Sequence, residues 1–182
     1  MIGSQSPWIE SLLLIHGADQ VTTLEYAEIK SEHPQIHTVT PEQIRKAYLS
    51  GAAPKFDAMV TFSSLEHSGL GRYGDSLNPW GDLITMAKAW CLMKPGGRAL
   101  IGVPSGMDAI LFNGNRLYGP IMYSHLFANW NQIYSEYRDF DNGFDTDPRK
   151  FCECGRTCEN IMWCYQPMSV IEKPMDKGCP LP

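Results

Sequence analysis

The chain has 182 residues, of which 43% are hydrophobic and 19% are charged, and its formal net charge is −5 at pH 7. This length and composition are typical of one globular domain, so we expect residues 1–182 to form a single domain, with residues 139–164 as an acidic, cysteine-rich loop. The negative charge argues against nucleic acid as a partner, since binding phosphates requires clustered Lys and Arg. No apolar run approaches the roughly 20 residues of a membrane-spanning helix, so no span is expected in this chain.

Strand-like and helix-like patterns alternate from the first residue to about residue 104. Met1-Ile2-Gly3-Ser4 has the character of the end of a strand, so the first strand is predicted to be largely missing. Segments rich in β-branched and apolar residues predict strands over residues 21–26, 36–39, 56–62 and 99–103. Helices are predicted over residues 8–16, 40–51 and 79–93, and residues 94–97 are predicted to form a turn.

Two of these helices carry clear N-terminal signals. Ser6 is a preferred N-cap and Pro7 a preferred first helical residue, while Thr40 and Gln43 have the spacing of a capping box. The alternation of strands and helices predicts an α/β fold with a mostly parallel, Rossmann-like sheet. Later in the chain, residues 133–137 and 162–171 predict an antiparallel pair of strands.

Ligands of such a sheet lie beyond the carboxyl ends of its strands. Glu25 follows a predicted strand about twenty residues after Gly3 and Ser4, where a carboxylate can accept hydrogen bonds from both hydroxyls of a ribose. The glycine-rich loop after the next long strand, residues 63–78, concentrates polar side chains at the same edge. These side chains are Glu66, His67, Arg72, Tyr73 and Asp75.

Three features appear in a familiar order: the acidic Glu25, Leu65-Glu66-His67 after a strand, and Lys94-Pro95-Gly96-Gly97 before a strand. In this order they resemble the class I S-adenosylmethionine-dependent methyltransferases. A closer resemblance is to the domain-of-unknown-function family 268. It is carried by residues 62–75 and by shorter matches at residues 7–10, 103–108, 113–120 and 166–167.

The resemblance to the class I methyltransferases implies a methyltransferase-type sheet and S-adenosylmethionine as cofactor, whereas the resemblance to family 268 implies the same fold and brings no activity with it. Glu25 would bind the ribose, Gly3 and Ser4 would border the methionine part, and Ser63 and Leu65 would line the adenosyl site. The acceptor would be a small molecule or a glycan-like group, and His67 as general base or Asp75 would act on it. The chain departs from the methyltransferase pattern because it has one glycine after the first strand, where two or three are usual.

Less functional interpretations remain open for each feature. Glu25 could be a solvated strand end, and the loop residues could do no more than shape a tight turn. The poor glycine motif favours a non-catalytic binding module with a degraded cofactor site. An enzyme linked to NAD or a nucleotide sugar is less favoured, because the chain lacks the G-x-G-x-x-G fingerprint.

Five of the six cysteines lie late in the chain. Cys152, Cys154, Cys158 and Cys164 do not have the paired spacing of common zinc modules, so no metal ligands are assigned. Disulfides, a zinc site and free thiols all remain open. The compartment is therefore either cytoplasmic or secretory, with no signal peptide or transmembrane segment in this chain, and the oligomeric state is not indicated.

Overall fold

A computed structural model of the protein describes residues 1–27, 29–135 and 168–179. Its helices are α1 (Trp8–Ile15), α2 (Pro41–Leu49), α3 (Gly81–Leu92) and α4 (Pro120–Leu126). Its strands are β1 (Val21–Leu24), β2 (Ile36–Val39), β3 (Phe56–Phe62), β4 (Met93–Gly102), β5 (Ala109–Ile110), β6 (Arg116–Leu117), β7 (Asn131–Ser135) and β8 (Met168–Glu172). The alternation predicted for the first 104 residues is thus present.

The main sheet is mostly parallel. β1 pairs with β2 and β3 pairs with β4, both in parallel, and β8 lies antiparallel between β4 and β7. Ile2 joins the two halves, because it forms parallel bridges with Leu24 in β1 and Thr61 in β3. Residues 1–3 therefore occupy the position of a strand between β1 and β3. The predicted α/β fold is confirmed. The late antiparallel pair is present as β7 and β8, while residues 136–137 and 162–167 of the predicted segments lie outside the described residues.

Two local predictions need correction. Helix α1 begins at Trp8, with Pro7 in the N-cap position and no side-chain cap, so the role given to Ser6 is wrong. The carbonyl of Ser6 instead accepts the amide of Trp8 in a local turn. The predicted turn at residues 94–97 lies inside β4, as a shift in register against β3. Helix α2 has the predicted capping box.

The hydrophobic core lies between β4 and the helices that pack against it. Its buried side chains come from β3, β4, β8, α3 and α4, and include Met59, Met86, Ile101, Leu126 and Ile171. Burial of such side chains is the main stabilising contribution to folding, at about 1.5–3 kcal/mol each. None of the helices in the described part of the chain is long and apolar enough to span a bilayer.

The C-terminal segment is fastened to α3. A disulfide joins Cys91, near the end of α3, to Cys179, with their Cα atoms 4.8 Å apart. The buried ammonium of Lys173 donates to the carbonyls of Trp90 (2.9 Å) and Met93 (3.0 Å), and so satisfies carbonyl groups that the end of α3 leaves unpaired. These contacts hold the residues after β8 against the body of the protein.

Candidate functional site

A cleft of about 2070 Å³ runs along the space between β1 and β3, from the residues after their carboxyl ends to residues at their amino ends, such as Val21 and Phe56. Six of the seven candidate site residues line it: Gly3, Ser4, Glu25, Ser63, His67 and Asp75. They come from three separate segments, each of which follows a strand position of the sheet. The fold therefore brings together residues that are up to 72 positions apart in the sequence.

Glu25 lies next to residues 1–3, which occupy the strand position between β1 and β3. Its Oε2 accepts the backbone amide of Ser4 at 3.0 Å, and its Oε1 accepts the amide of Tyr26 at 2.6 Å. An ionised carboxylate offers about four lone-pair positions, so two remain for hydroxyl groups of a ligand. The side chain is half-buried at the mouth of the cleft.

Gly3 allows this segment to approach the loop after β3 closely. Its φ is +71°, in the left-handed region that favours glycine, and a Cβ on it would lie 1.7 Å from Ser64 Oγ. A side chain at this position is therefore excluded by both the backbone and the neighbour. The single glycine of the motif serves packing between two segments that border the cleft.

The loop after β3 begins at Ser63, whose φ of +48° is unusual for a residue other than glycine. Residues Leu65–His67 form a short 3-10 turn, and Leu65 is fully buried in the core. The side chain of Leu65 therefore supports the loop from behind. Leu65 is the candidate site residue that does not line the cleft.

His67 is held on both sides within the loop. Its Nδ1 lies 2.7 Å from the carbonyl of Gly114 and therefore carries the proton that it donates, and its Nε2 lies 3.6 Å from Glu66 Oε1. The edge of the ring packs against Tyr73. Burial is the main reason that the pKa of His67 is lowered, with Arg72 and Arg116 contributing, so the ring is neutral at pH 7.

Asp75 organises the glycine-rich part of the loop. Its carboxylate accepts backbone amides of Gly69 (2.6 Å), Gly71 (3.3 Å) and Tyr73 (3.3 Å). Burial raises the pKa of this carboxyl, but the hydrogen bonds from the three amides outweigh it and hold the pKa below its usual value. Asp75 therefore stays ionised and fixes the shape of the cleft wall.

Arg116, on β6, is the buried centre of this region. Its guanidinium donates to the carbonyls of Glu66, Ser68, Asn78 and Pro79, at 2.6–3.4 Å. Its Nε lies 3.5 Å from Asp82 on α3, and Tyr118 donates its hydroxyl to the same carboxylate at 2.9 Å. Five donors in a fixed fork suit this task, which a lysine would not perform.

Two buried carboxylates flank the cleft. Glu66 is 1% exposed, its Oε1 accepts from Ser63 Oγ at 3.0 Å, and its Oε2 has no hydrogen-bond partner among the described residues. Glu10, on α1, is fully buried; it accepts from Thr23 Oγ1 at 2.7 Å and from Ser4 Oγ at 3.3 Å. The sequence reasoning missed Glu10. The sequence feature that could have indicated its burial is an acidic residue directly after the apolar Trp8 and Ile9 at the start of a helix.

The four cysteines at positions 152, 154, 158 and 164 lie outside the described residues, as does the acidic segment 139–149. Among the residues that the structure describes, no group of three or more His, Cys, Asp or Glu side chains is arranged to hold a metal ion. The pairing of Cys91 with Cys179 was not anticipated from the sequence, because the two residues are 88 positions apart.

The order of strands, the late antiparallel β8 and the cleft at the carboxyl edge define a methyltransferase-type α/β fold. A solved structure with this fold is 1,6-didemethyltoxoflavin-N1-methyltransferase of Burkholderia thailandensis, with bound 1,6-didemethyltoxoflavin and S-adenosylhomocysteine. The similarity has a TM-score of 0.56 at 14% sequence identity, and covers 95% of this chain and 69% of the other.

The family follows from the sequence itself. Residues 1–152 match the family described as "Caenorhabditis protein of unknown function, DUF268". The chain belongs to this family, as the resemblance of residues 62–75 predicted. No curated protein matches the sequence.

Proposed function

We propose that this chain binds S-adenosylmethionine in the cleft and transfers its methyl group to a small-molecule or glycan-like acceptor. The observation that carries the proposal is the position of Glu25, whose carboxylate meets the Ser4 amide at 3.0 Å where β1 ends. An acidic side chain at the carboxyl end of β1, beside residues 1–3, can accept hydrogen bonds from the two hydroxyls of a ribose. The fold similarity to a methyltransferase supports the same assignment.

The residues of the cleft suit the parts of this cofactor. Glu25 has lone pairs left for the ribose, and Gly3 and Ser4 present backbone next to the methionine part. Ser63 lines the adenosyl side, with Leu65 supporting it from the core. When bound, the cofactor supplies an electrophilic methyl group on a sulfonium. Methyl transfer depends mainly on alignment, so a well-ordered wall contributes more than several reactive side chains.

His67 and Asp75 are proposed to act on the acceptor through the loop that they shape. The ring nitrogens of His67 face Gly114 and Glu66, and the Asp75 carboxylate holds three backbone amides. Both residues line the cleft, so they form part of the wall against which an acceptor would be positioned. The acceptor group itself supplies the nucleophile.

A second candidate is a non-catalytic binding module. It is favoured by the contact between Gly3 and Ser64, because the one glycine of the motif is already used for packing within the protein. The carboxylate of Glu25 is likewise engaged by two backbone amides. In this case the cleft would bind a partner molecule without methyl transfer.

Calorimetric titration with S-adenosylmethionine and S-adenosylhomocysteine separates the two. We expect both ligands to bind, and Glu25→Ala to weaken both by at least about tenfold, since hydrogen bonds to a charged group contribute about 1.5–3 kcal/mol. Glu32→Ala, at an exposed position away from the cleft, is the control and should bind like the parent. Equal affinity in Glu25→Ala would refute the ribose assignment. A protein folded by circular dichroism that binds neither ligand would support the non-catalytic module.

A further inference from the structure

The carboxyl of Glu66 lies buried directly behind the cleft wall. Its Oε1 accepts from Ser63 Oγ at 3.0 Å, and Ser63 itself lines the cleft. Its Oε2 has no hydrogen-bond partner among the described residues. Solvent does not replace that partner, because the side chain is only 1% exposed. A buried carboxylate with an unsatisfied oxygen is costly, so such a group either keeps a proton or is paired with a positive charge.

Within the described part of the chain, the groups around Glu66 supply no such charge at pH 7. His67 Nε2 lies 3.6 Å from Oε1, but burial lowers the pKa of this histidine, which is therefore neutral. Arg116 donates to the backbone carbonyl of Glu66 and pairs its Nε with Asp82, whose carboxylate also accepts from Tyr118. The charge of the guanidinium is thus matched by Asp82.

Burial consequently raises the pKa of Glu66 to about 7, and hydrogen bonds from Ser63 and from the backbone offset this only in part. Near neutral pH both the neutral and the ionised form of the carboxyl are therefore populated. The loop that carries it also packs closely against residues 1–3, since a Cβ on Gly3 would lie 1.7 Å from Ser64 Oγ. The loop that carries Glu66 is therefore in contact with the segment proposed to border the methionine part of the cofactor, and Ser63 connects the carboxyl to the cleft.

We propose that Glu66 provides the negative charge that pairs with the sulfonium of S-adenosylmethionine, and that it loses a proton when this cofactor binds. The inference rests on the proposed function. A positive charge placed near a buried acid favours the ionised form of that acid. S-adenosylhomocysteine has a neutral sulfur and would leave Glu66 protonated. The ionisation state of the Glu66 carboxyl thus differs between the complex with S-adenosylmethionine and the complex with S-adenosylhomocysteine.

The same carboxyl completes the proton balance of methyl transfer to an amine or hydroxyl acceptor. The bond from the acceptor atom to carbon forms as the carbon–sulfur bond breaks, and the electron pair of the broken bond stays on sulfur. The proton lost by the acceptor passes to the Glu66 carboxylate, with Ser63 Oγ connecting the cleft to Oε1. The sulfonium charge disappears in the same step, so no unpaired charge remains buried.

The test is proton release on binding, measured by calorimetry at pH 7 in two buffers of different ionisation enthalpy. With a carboxyl pKa near 7, we expect about half a proton released per S-adenosylmethionine and none from Glu66 on binding S-adenosylhomocysteine. In Glu66→Gln this release should be lost, while any release from the cofactor's own amino group persists. Glu32→Gln, at an exposed site, should behave like the parent.

Equal proton release in the parent and in Glu66→Gln would overturn the inference. If Glu66→Gln does not fold, carbon-13 NMR of labelled glutamate carboxyls in the parent gives the answer. One carboxyl should titrate near pH 7, and its pKa should fall with S-adenosylmethionine but not with S-adenosylhomocysteine; an unchanged pKa would contradict the assignment. Binding of both ligands without this response refutes the role of Glu66 alone, whereas binding of neither refutes the proposed function.

Discussion

Replacement of Glu66 by glutamine should change how the stability of the protein depends on pH. Burial raises the pKa of this carboxyl from 4.5 to about 7, so between these values the folded protein holds a proton that the unfolded chain has lost. A group of this kind stabilises the folded state at low pH, and its contribution is lost as the pH rises through the folded pKa. Since one pKa unit corresponds to about 1.4 kcal/mol, the full effect is about 3 kcal/mol.

The measurement is urea unfolding of the parent and Glu66→Gln at pH 5 and pH 8. We expect the stability of the variant relative to the parent to rise by about 2–3 kcal/mol from pH 5 to pH 8, because glutamine carries no ionisable proton. His67 acts in the opposite direction, since its lowered pKa costs stability as the pH falls below its unfolded value, but this contribution cancels in the comparison. A difference that does not change with pH would show that the carboxyl is solvated.

Three further predictions concern packing. Gly17 also has a positive φ, but an added Cβ there would meet open space, so Gly17→Ala should cost about 1–2 kcal/mol in thermal unfolding. Gly3→Ala should cost more, because its added Cβ would also clash with Ser64. Arg116→Met should cost about 3–5 kcal/mol because it leaves a buried carboxylate unpaired, whereas Arg98→Met, on the surface, should cost less than about 1 kcal/mol; equal effects would contradict the buried role. Cys179→Ser should lower the urea midpoint, with a loss of about 2–4 kcal/mol in the free energy of unfolding. Reduction of the parent should lower its midpoint to a similar extent, and a parent whose midpoint does not change on reduction would show that the disulfide contributes nothing.

The order of elements was predictable from local signals. The strand at residues 56–62 is a short apolar run, and the helix after Thr40 carries its own capping residues, so each can be read from neighbouring residues. The meeting of Glu25 with Ser4 followed from topology, because carboxyl ends of adjacent parallel strands lie at one edge. These predictions needed the pattern of the chain and no knowledge of side-chain packing.

The buried polar network was not predictable in the same way. Arg116 is buried, and its burial depends on four carbonyls that lie 37 to 50 residues earlier in the sequence. The partners of Glu10 and the pairing of Cys91 with Cys179 likewise depend on how distant segments pack. A single sequence records the residue type at each position, and it does not record which distant partner satisfies it.

The central claim is that the cleft at the carboxyl ends of β1 and β3 binds the cofactor. It is tested most directly by following backbone amide NMR signals of the nitrogen-15-labelled protein as S-adenosylhomocysteine is added. We predict saturable shifts concentrated at Gly3, Ser4, Glu25 and Ser63, with little change at the exposed Ile121 on α4, which does not line the cleft. Shifts confined to other parts of the protein, or no shifts at millimolar ligand, would contradict the account.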